Sequence, residues 1–244
     1  MVVHACLHKD VSTIKAQESG ITVAPTIQLN PQSDLVDTAK TLGYPWIVKS
    51  PTSDHLVHGK KCFTFKTEQD LKKWQWPQEI PMLLAQPSVA GFRHNCMFYA
   101  EHGALKVYFE QKVLRTDRWD GTGYGVDCIA IPPSKKRKTH TETLIKNLGY
   151  HGIGCVQFLV DPSSDDTVFL EINPRLDATA ALPLHLGVSF PLLAMKAALP
   201  TGISSLISLP NPPLPRGRCH WLYGDLRGLM ESWKAGLIGP KTAF

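Results

Sequence analysis

"GCVQFLVDPSSDDTVFLEINPR", residues 154–175, decides how this chain is to be read. Two apolar runs, 155–160 and 167–170, flank DPSSDD, a stretch with the Asp, Pro and Ser content of a turn, so the runs are expected to pair as a hairpin. The second run ends in an acid, an amide and an arginine at every second position: Glu171, Asn173 and Arg175. Side chains two apart on a strand share a face, and buried strands rarely carry such groups without a use for them. Gln157 lies where pairing about the turn can set it beside Glu171. One carboxylate and two amide oxygens form a hard donor set of the kind magnesium accepts, with substrate phosphates completing the shell. The planar fork of Arg175 suits the same phosphates.

Upstream, "YPWIVKS" (44–50) reads as an apolar strand that delivers Lys49 at its end, a point charge for a phosphate approached from the other side. A helix is expected from Val11 to Ser19, ending at Gly20, with an extended ITVAP after it, and a second from Ser33 to about Leu42, ending at Gly43. A strand at 62–65 and a helix from Thr67 to Trp74 complete a small α+β lobe, residues 1–80. IPMLLAQ (80–86) is expected to open a larger lobe, 81–205, with meander strands at 92–99, 104–110 and 126–131 and a helix over 139–148. Residues 177–199 have helical periodicity broken by Pro183 and Pro191. NPPLPRGR (211–218) reads as a linker or edge, and residues 206–244 as a C-terminal extension adding a strand and a helix, ending in PKTAF with little to close a domain. The fold class is α+β: two lobes, a mainly antiparallel sheet in the larger, and a nucleotide cleft between them.

These blocks together resemble the ATP-grasp superfamily, in particular its carbamoyl-phosphate-synthetase-like branch. The resemblance rests on Q-F…E-I-N-P-R, on "HKD…ESGITVAP", on "LGYPWIVKS" and on "QPSVAGFRH", four blocks in order over about residues 8–200. It implies a metal site of Gln157, Glu171 and Asn173 for Mg2+ or Mn2+, and an Arg175 that contacts the transferred phosphate. It implies that Lys9 and Lys49 hold ATP phosphates and that the Val89 backbone meets the adenine edge, with Gln86 beside it. His94 stands where the family has a glutamate for the ribose hydroxyls, so His94→Glu is expected to tighten ATP binding. Gln86 and Pro87 stand where an acid is common, and the loop PTSDHLVHGKKC has only Gly59 where the family loop is glycine-rich. There His58, Lys60 or Lys61 substitutes by charge for close backbone approach.

The implied activity is ATP-dependent ligation of a carboxylate to an amine or similar nucleophile through an acyl phosphate. The second reading is a nucleotide-binding module without turnover, or one dependent on a partner. Only about ten residues precede Val11 where the family carries a further domain, so either a partner domain or chain is expected to supply it, or the chain is expected to be a fragment or an abbreviated form.

Composition bounds the rest. With 244 residues, 43% hydrophobic and 19% charged, the chain can bury a sizeable core. No run approaches the roughly 18 to 20 apolar residues of a membrane span and no secretory signal opens the chain, which makes the cytoplasm the expected compartment. A net charge of +5 suits an anionic small ligand and falls short of a nucleic-acid footprint. The six cysteines, about 30 to 60 residues apart, read as buried free thiols rather than a zinc or disulfide framework. The basic run 135–138 reads as a solvated loop. RWDGTGYGVD (118–127) is either a glycine-rich turn or a substrate loop presenting Arg118 or Asp120; Asp177 and His185, near the metal set, are given no role.

Overall fold

The computed structural model describes residues 2–210 and 216–239. Residues 211–215 of the proline-rich linker and 240–244 of the tail lie outside them. Two antiparallel sheets organise the chain. The smaller joins β1 (Ile27–Leu29), β4 (Leu83–Pro87), β2 (Trp46–Lys49) and β3 (Cys62–Phe65) in that spatial order. The larger runs β10 (Arg218–His220), β7 (Gly125–Ala130), β6 (Ala104–Thr116), β5 (Phe92–Glu101), β8 (Gly152–Val160) and β9 (Thr167–Asn173).

The small lobe closes over Trp46, Val48, Phe65, Leu83 and Ala85, all on one face of its sheet. Alternation therefore turns Lys49, Leu84 and Gln86 to the other face. Asp34 caps α3 (Leu35–Leu42) by accepting from the backbone N–H groups of Val36 and Asp37, one residue later than the expected Ser33. Gly43 ends it as expected, and Thr67 forms a capping box with Asp70 at the start of α4 (Glu68–Lys72).

The large sheet has a core on each face. On one, Cys96, Phe98, Val156, Phe158 and Ile172 pack beneath Leu144 and Ile145 of α5 (Lys135–Leu148). On the other, Met97, Tyr99, Val113 and Cys155 pack against Leu182 of α6 (Ala181–His185) and Phe190 and Leu193 of α7 (Phe190–Ala198). Pro191 is accommodated in the first turn of α7, where its missing N–H costs nothing. A short α8 (Thr201–Ser204) follows, and α9 (Leu222–Lys234) lies on β6 and β7. Gly228 permits that contact, since a Cβ there would stand 2.7 Å from the Thr116 carbonyl oxygen.

Several expectations are corrected. IPMLLAQ does not open the large lobe: β4 pairs with β1 and β2 because Leu83 and Ala85 complete the small core. Conversely α1 (Val2–Leu7) and α2 (Lys9–Glu18) belong to the large sheet, where Cys6, Ala16 and Ile21 join its core. ITVAP is extended but forms only a single parallel bridge, Val23 to Phe169. The basic run is the first turn of α5, and Arg137 in it is buried, ion-paired with Glu110 and Asp165. All six cysteines are free. No described helix is long and apolar enough to cross a membrane.

Candidate functional site

The hairpin of β8 and β9 sets Gln157 directly opposite Glu171. A bulge makes this possible. Phe158 pairs with Phe169 while Gln157 pairs with Glu171, so Leu170 is the extra residue. Phe169 and Ile172 consequently face the same core although they are three apart, and Glu171 and Asn173 are turned to the opposite face.

The register carries the row further. Gln157 lies opposite Asn95 of β5, and Asn95 opposite Gln111 of β6, so Gln111, Asn95, Gln157 and Glu171 cross four strands side by side. Asn173 Nδ2 donates to Glu171 Oε1 at 2.8 Å, which leaves the Asn173 oxygen as an acceptor. The turn after β9 covers the other end: Asn95 Nδ2 donates to Asp177 Oδ1 at 3.3 Å, Gln111 donates to Thr179, and Thr179 to Asp177. Asn95 Oδ1 and Gln111 Oε1 remain buried with no partner among the described residues. Buried acceptors are nearly always satisfied, and each unmet one costs about 1–3 kcal/mol, so these two oxygens are acceptors open to a water, a donor or a cation.

Cations surround it. Burial opposes charge on Glu171, but the hydrogen bond from Asn173 and the charges of Lys9, Lys49 and Arg93 outweigh that and hold its carboxyl below the usual range. Lys49, only 7% exposed, is pushed down to about 8 by burial, against the pull of Glu171. Lys9 is lowered by burial as well, and its ammonium donates to Ser53 Oγ at 3.2 Å while its backbone N–H bonds Pro51, tying α2 to the loop after β2. That loop bears on the large lobe: Lys60 Nζ is 5.9 Å from the Trp119 ring centroid and Lys61 Nζ is 4.9 Å from that of Tyr124.

The expected site residues divide. Gln157, Glu171 and Asn173 share one sheet face, and Lys9 and Lys49 act electrostatically on Glu171. Gln86 shares the Lys49 face of the small sheet but is occupied, its Nε2 donating to Thr26 Oγ1 at 2.8 Å. Val89 lies half-buried in the segment between β4 and β5, and its backbone bonds no other described backbone group. Arg175 is exposed and donates to the Leu176 carbonyl at 3.0 Å, not to the row. His94 is on the wrong face. One residue from Asn95, it points beneath α5, its Nδ1 3.1 Å from Glu110 Oε1, in a network with Tyr108, Arg137 and the Ser134 N–H. Sequence reasoning missed Arg93, Asn95 and Gln111; the period-two alternation of FRHNCMF was the signal that separates Arg93 and Asn95 from His94.

Among the described residues no three His, Cys, Asp or Glu side chains cluster as a metal site. The donors on offer are one ionised carboxylate and amide oxygens, which fits a hard cation and not zinc.

Residues 134–205 match the family described as carbamoyl-phosphate synthase L chain, ATP binding domain. The carbamoyl phosphate synthase large chain of Thermotoga neapolitana is 24% identical over 209 residues, covering 80% of this chain but 18% of that protein. The chain thus spans about a fifth of the length of that relative. Among solved structures, N5-carboxyaminoimidazole ribonucleotide synthetase in its ADP complex superposes with a TM-score of 0.68 at 15% identity, over 87% of this chain and 54% of that one. Biotin carboxylase from Campylobacter jejuni, in a β-γ-ATP complex, gives 0.68 at 18% identity, over 89% and 50%. The chain has the ATP-grasp fold, and its sequence is similar to the ATP-binding domain of carbamoyl-phosphate synthase large chains.

Proposed function

We propose that this chain binds ATP with Mg2+ or Mn2+ between its two sheets and uses it to join a carboxylate to an amine or similar nucleophile. The observation that carries the proposal is the direct pairing of Gln157 with Glu171, with Asn173 on the same face and Lys9 and Lys49 acting on the carboxylate. Gln157, Glu171 and Asn173 would hold the ion, which neutralises phosphate charge when bound. Lys9 and Lys49 place ammonium groups against the polyphosphate, and the free backbone groups of Val89, near Gln86, meet the adenine edge. The substrate carboxylate oxygen attacks the γ-phosphorus, ADP leaves, and the nucleophile displaces phosphate from the resulting acyl phosphate. This chemistry needs alignment and charge neutralisation more than a protein nucleophile. Arg175 takes its role at the transferred phosphate by releasing the Leu176 carbonyl. A domain or chain beyond these residues supplies surface for the second substrate, in keeping with the much longer relative.

Calorimetric titration of the chain with ATP, with and without Mg2+, tests the reading. Glu171→Gln is expected to abolish the magnesium-dependent part and leave the fold intact; tight MgATP binding by that variant would remove the metal assignment.

A second reading, nucleotide binding without turnover or only with a partner, is favoured by His94 locked away from the row and by Arg175 bonded to its own backbone. Release of ADP on adding pooled carboxylates and amines separates the two: stimulated release supports the ligase, and binding without release supports the module.

A further inference from the structure

Beyond the row, on the same face of β5 and β6, lies a cavity of about 320 Å³. Its floor is the sheet at Arg93 and Val113, one wall is Leu229 and its neighbours on α9, and another is the segment bearing Arg118 and Trp119. Arg93 is two residues from Asn95, so it projects beside the row, and its charge is among those acting on Glu171. Its Nη1 donates to the Gly123 carbonyl at 2.9 Å, while its Nε is buried without a partner.

Charge in the cavity is unbalanced. Arg115 is consumed by Asp225, forked at 2.9 and 2.6 Å, with Asp127 at 3.3 Å. That pairing pins α9 to the sheet and uses the one carboxylate on the lining, Asp225. Arg93 and Arg118 are left facing the space, and among the described residues no acid pairs with Arg118. Lys60 and Lys66 add positive charge at the mouth, 5.9 and 5.8 Å from the Trp119 ring. Phe92, Val113, Leu114, Leu229 and an indole 40% exposed give the lining its apolar part, and the Thr116 and Ser232 hydroxyls that share it are spent on the Arg118 and Gly228 carbonyls. A bare oxyanion would leave those walls wet, and an uncharged apolar molecule would leave the Arg118 guanidinium and the buried Arg93 Nε unmatched.

We propose that this cavity binds the carboxylate substrate, that this substrate carries an apolar body the size of a small aliphatic or aromatic group, and that Arg93 and Arg118 grip its carboxylate. The assignment rests on the ligase reading of the row for its role, and on the cavity alone for its chemistry. Planar guanidinium groups match a carboxylate through paired hydrogen bonds, Arg93 carries the bound group toward the phosphate site, and Trp119 with Leu229 covers the body. The walls are set in advance, because the Arg115–Asp225 fork and the close approach of Gly228 to Thr116 fix α9 without a ligand.

The test is calorimetric titration of the whole chain with phenylacetate and hexanoate, with acetate and inorganic phosphate as controls, and separately of the wild type with MgADP. Phenylacetate or hexanoate is expected to bind at least tenfold more tightly than acetate or phosphate. Arg118→Gln should weaken that binding tenfold or more, and Trp119→Ala severalfold, with circular dichroism showing both variants folded; both side chains stand at the cavity rim, outside the cores. Absence of saturable binding by the body-bearing carboxylates, undiminished binding by Arg118→Gln, or equal binding of phosphate each overturns the proposal. If MgADP binds and the carboxylates do not, the cavity assignment falls alone. If the carboxylates bind with the Arg118 dependence and MgADP does not, the cavity stands as an amphiphilic-anion site and the ligase reading falls.

Discussion

The two faces of the large sheet carry comparable loads of buried polar groups and treat them in opposite ways. Beneath α5, Glu110 is fully buried, yet its oxygens accept from His94, Tyr108, the Ser134 N–H and Arg137, and Arg137 passes on to Asp165. That network is closed. On the other face Gln111, Asn95, Gln157 and Glu171 are equally regular in register, but two amide oxygens have no partner and three cations lean on one carboxylate. That row is open. A closed network is satisfied from within the fold, whereas an open one keeps acceptors that a water or a bound partner can meet, which is what the proposed nucleotide site asks of it.

The comparison is broken most forcefully at Arg137. Arg137→Met removes the cation that compensates Glu110 and is expected to cost about 3–5 kcal/mol in urea unfolding, since it leaves a buried charge unpaired. A loss under about 1 kcal/mol would mean that the network is not the structural element described.

Lys49 on the open side should behave in reverse. Its folded value, about 8, lies below that of an unfolded lysine, so between about pH 8 and 10.5 the unfolded chain binds a proton that the folded chain has released. Stability contributed at this site therefore rises with pH across that window, and below it the burial penalty is fully present. Lys49→Met is expected to be more stable than the wild type by up to roughly 3 kcal/mol near neutral pH, with the difference fading toward pH 10.5. A pH-independent difference would contradict the burial of a charged ammonium.

His94 tests which face a residue serves. His94→Glu sets a second carboxylate against Glu110 and removes one of its donors, so a loss of at least about 2 kcal/mol is expected with no gain in ATP affinity. Tighter ATP binding would return position 94 to the nucleotide site, as the family pattern alone implies.

What could be read from the sequence follows the same division. The hairpin itself and the helix ends at Gly20 and Gly43 follow from local pattern, because turn residues and capping act over a few positions. The bulge at Leu170 was not legible: in strict alternation Phe169 and Glu171 would share a face, and only the competing demand of Phe169 and Ile172 for the α5-side core separates them. Nor was the lobe to which β4 or α2 belongs, since an apolar strand or half-apolar helix does not name its partner. Family pattern located His94 by sequence spacing, whereas its face is set by register with Glu110 across β6.

The smallest expected effect is the most direct test of openness. Gln111→Leu replaces a buried amide whose oxygen is unpartnered with an apolar group of similar size, losing the donation to Thr179 and at the same time removing an unmet acceptor. These terms oppose one another, so the variant is expected to stay within about 1 kcal/mol of the wild type in urea unfolding. A loss as large as that of Arg137→Met would mean that the row, like the network beneath α5, is satisfied from within. It would then be a second structural network, and the orphaned oxygens would no longer argue for a ligand.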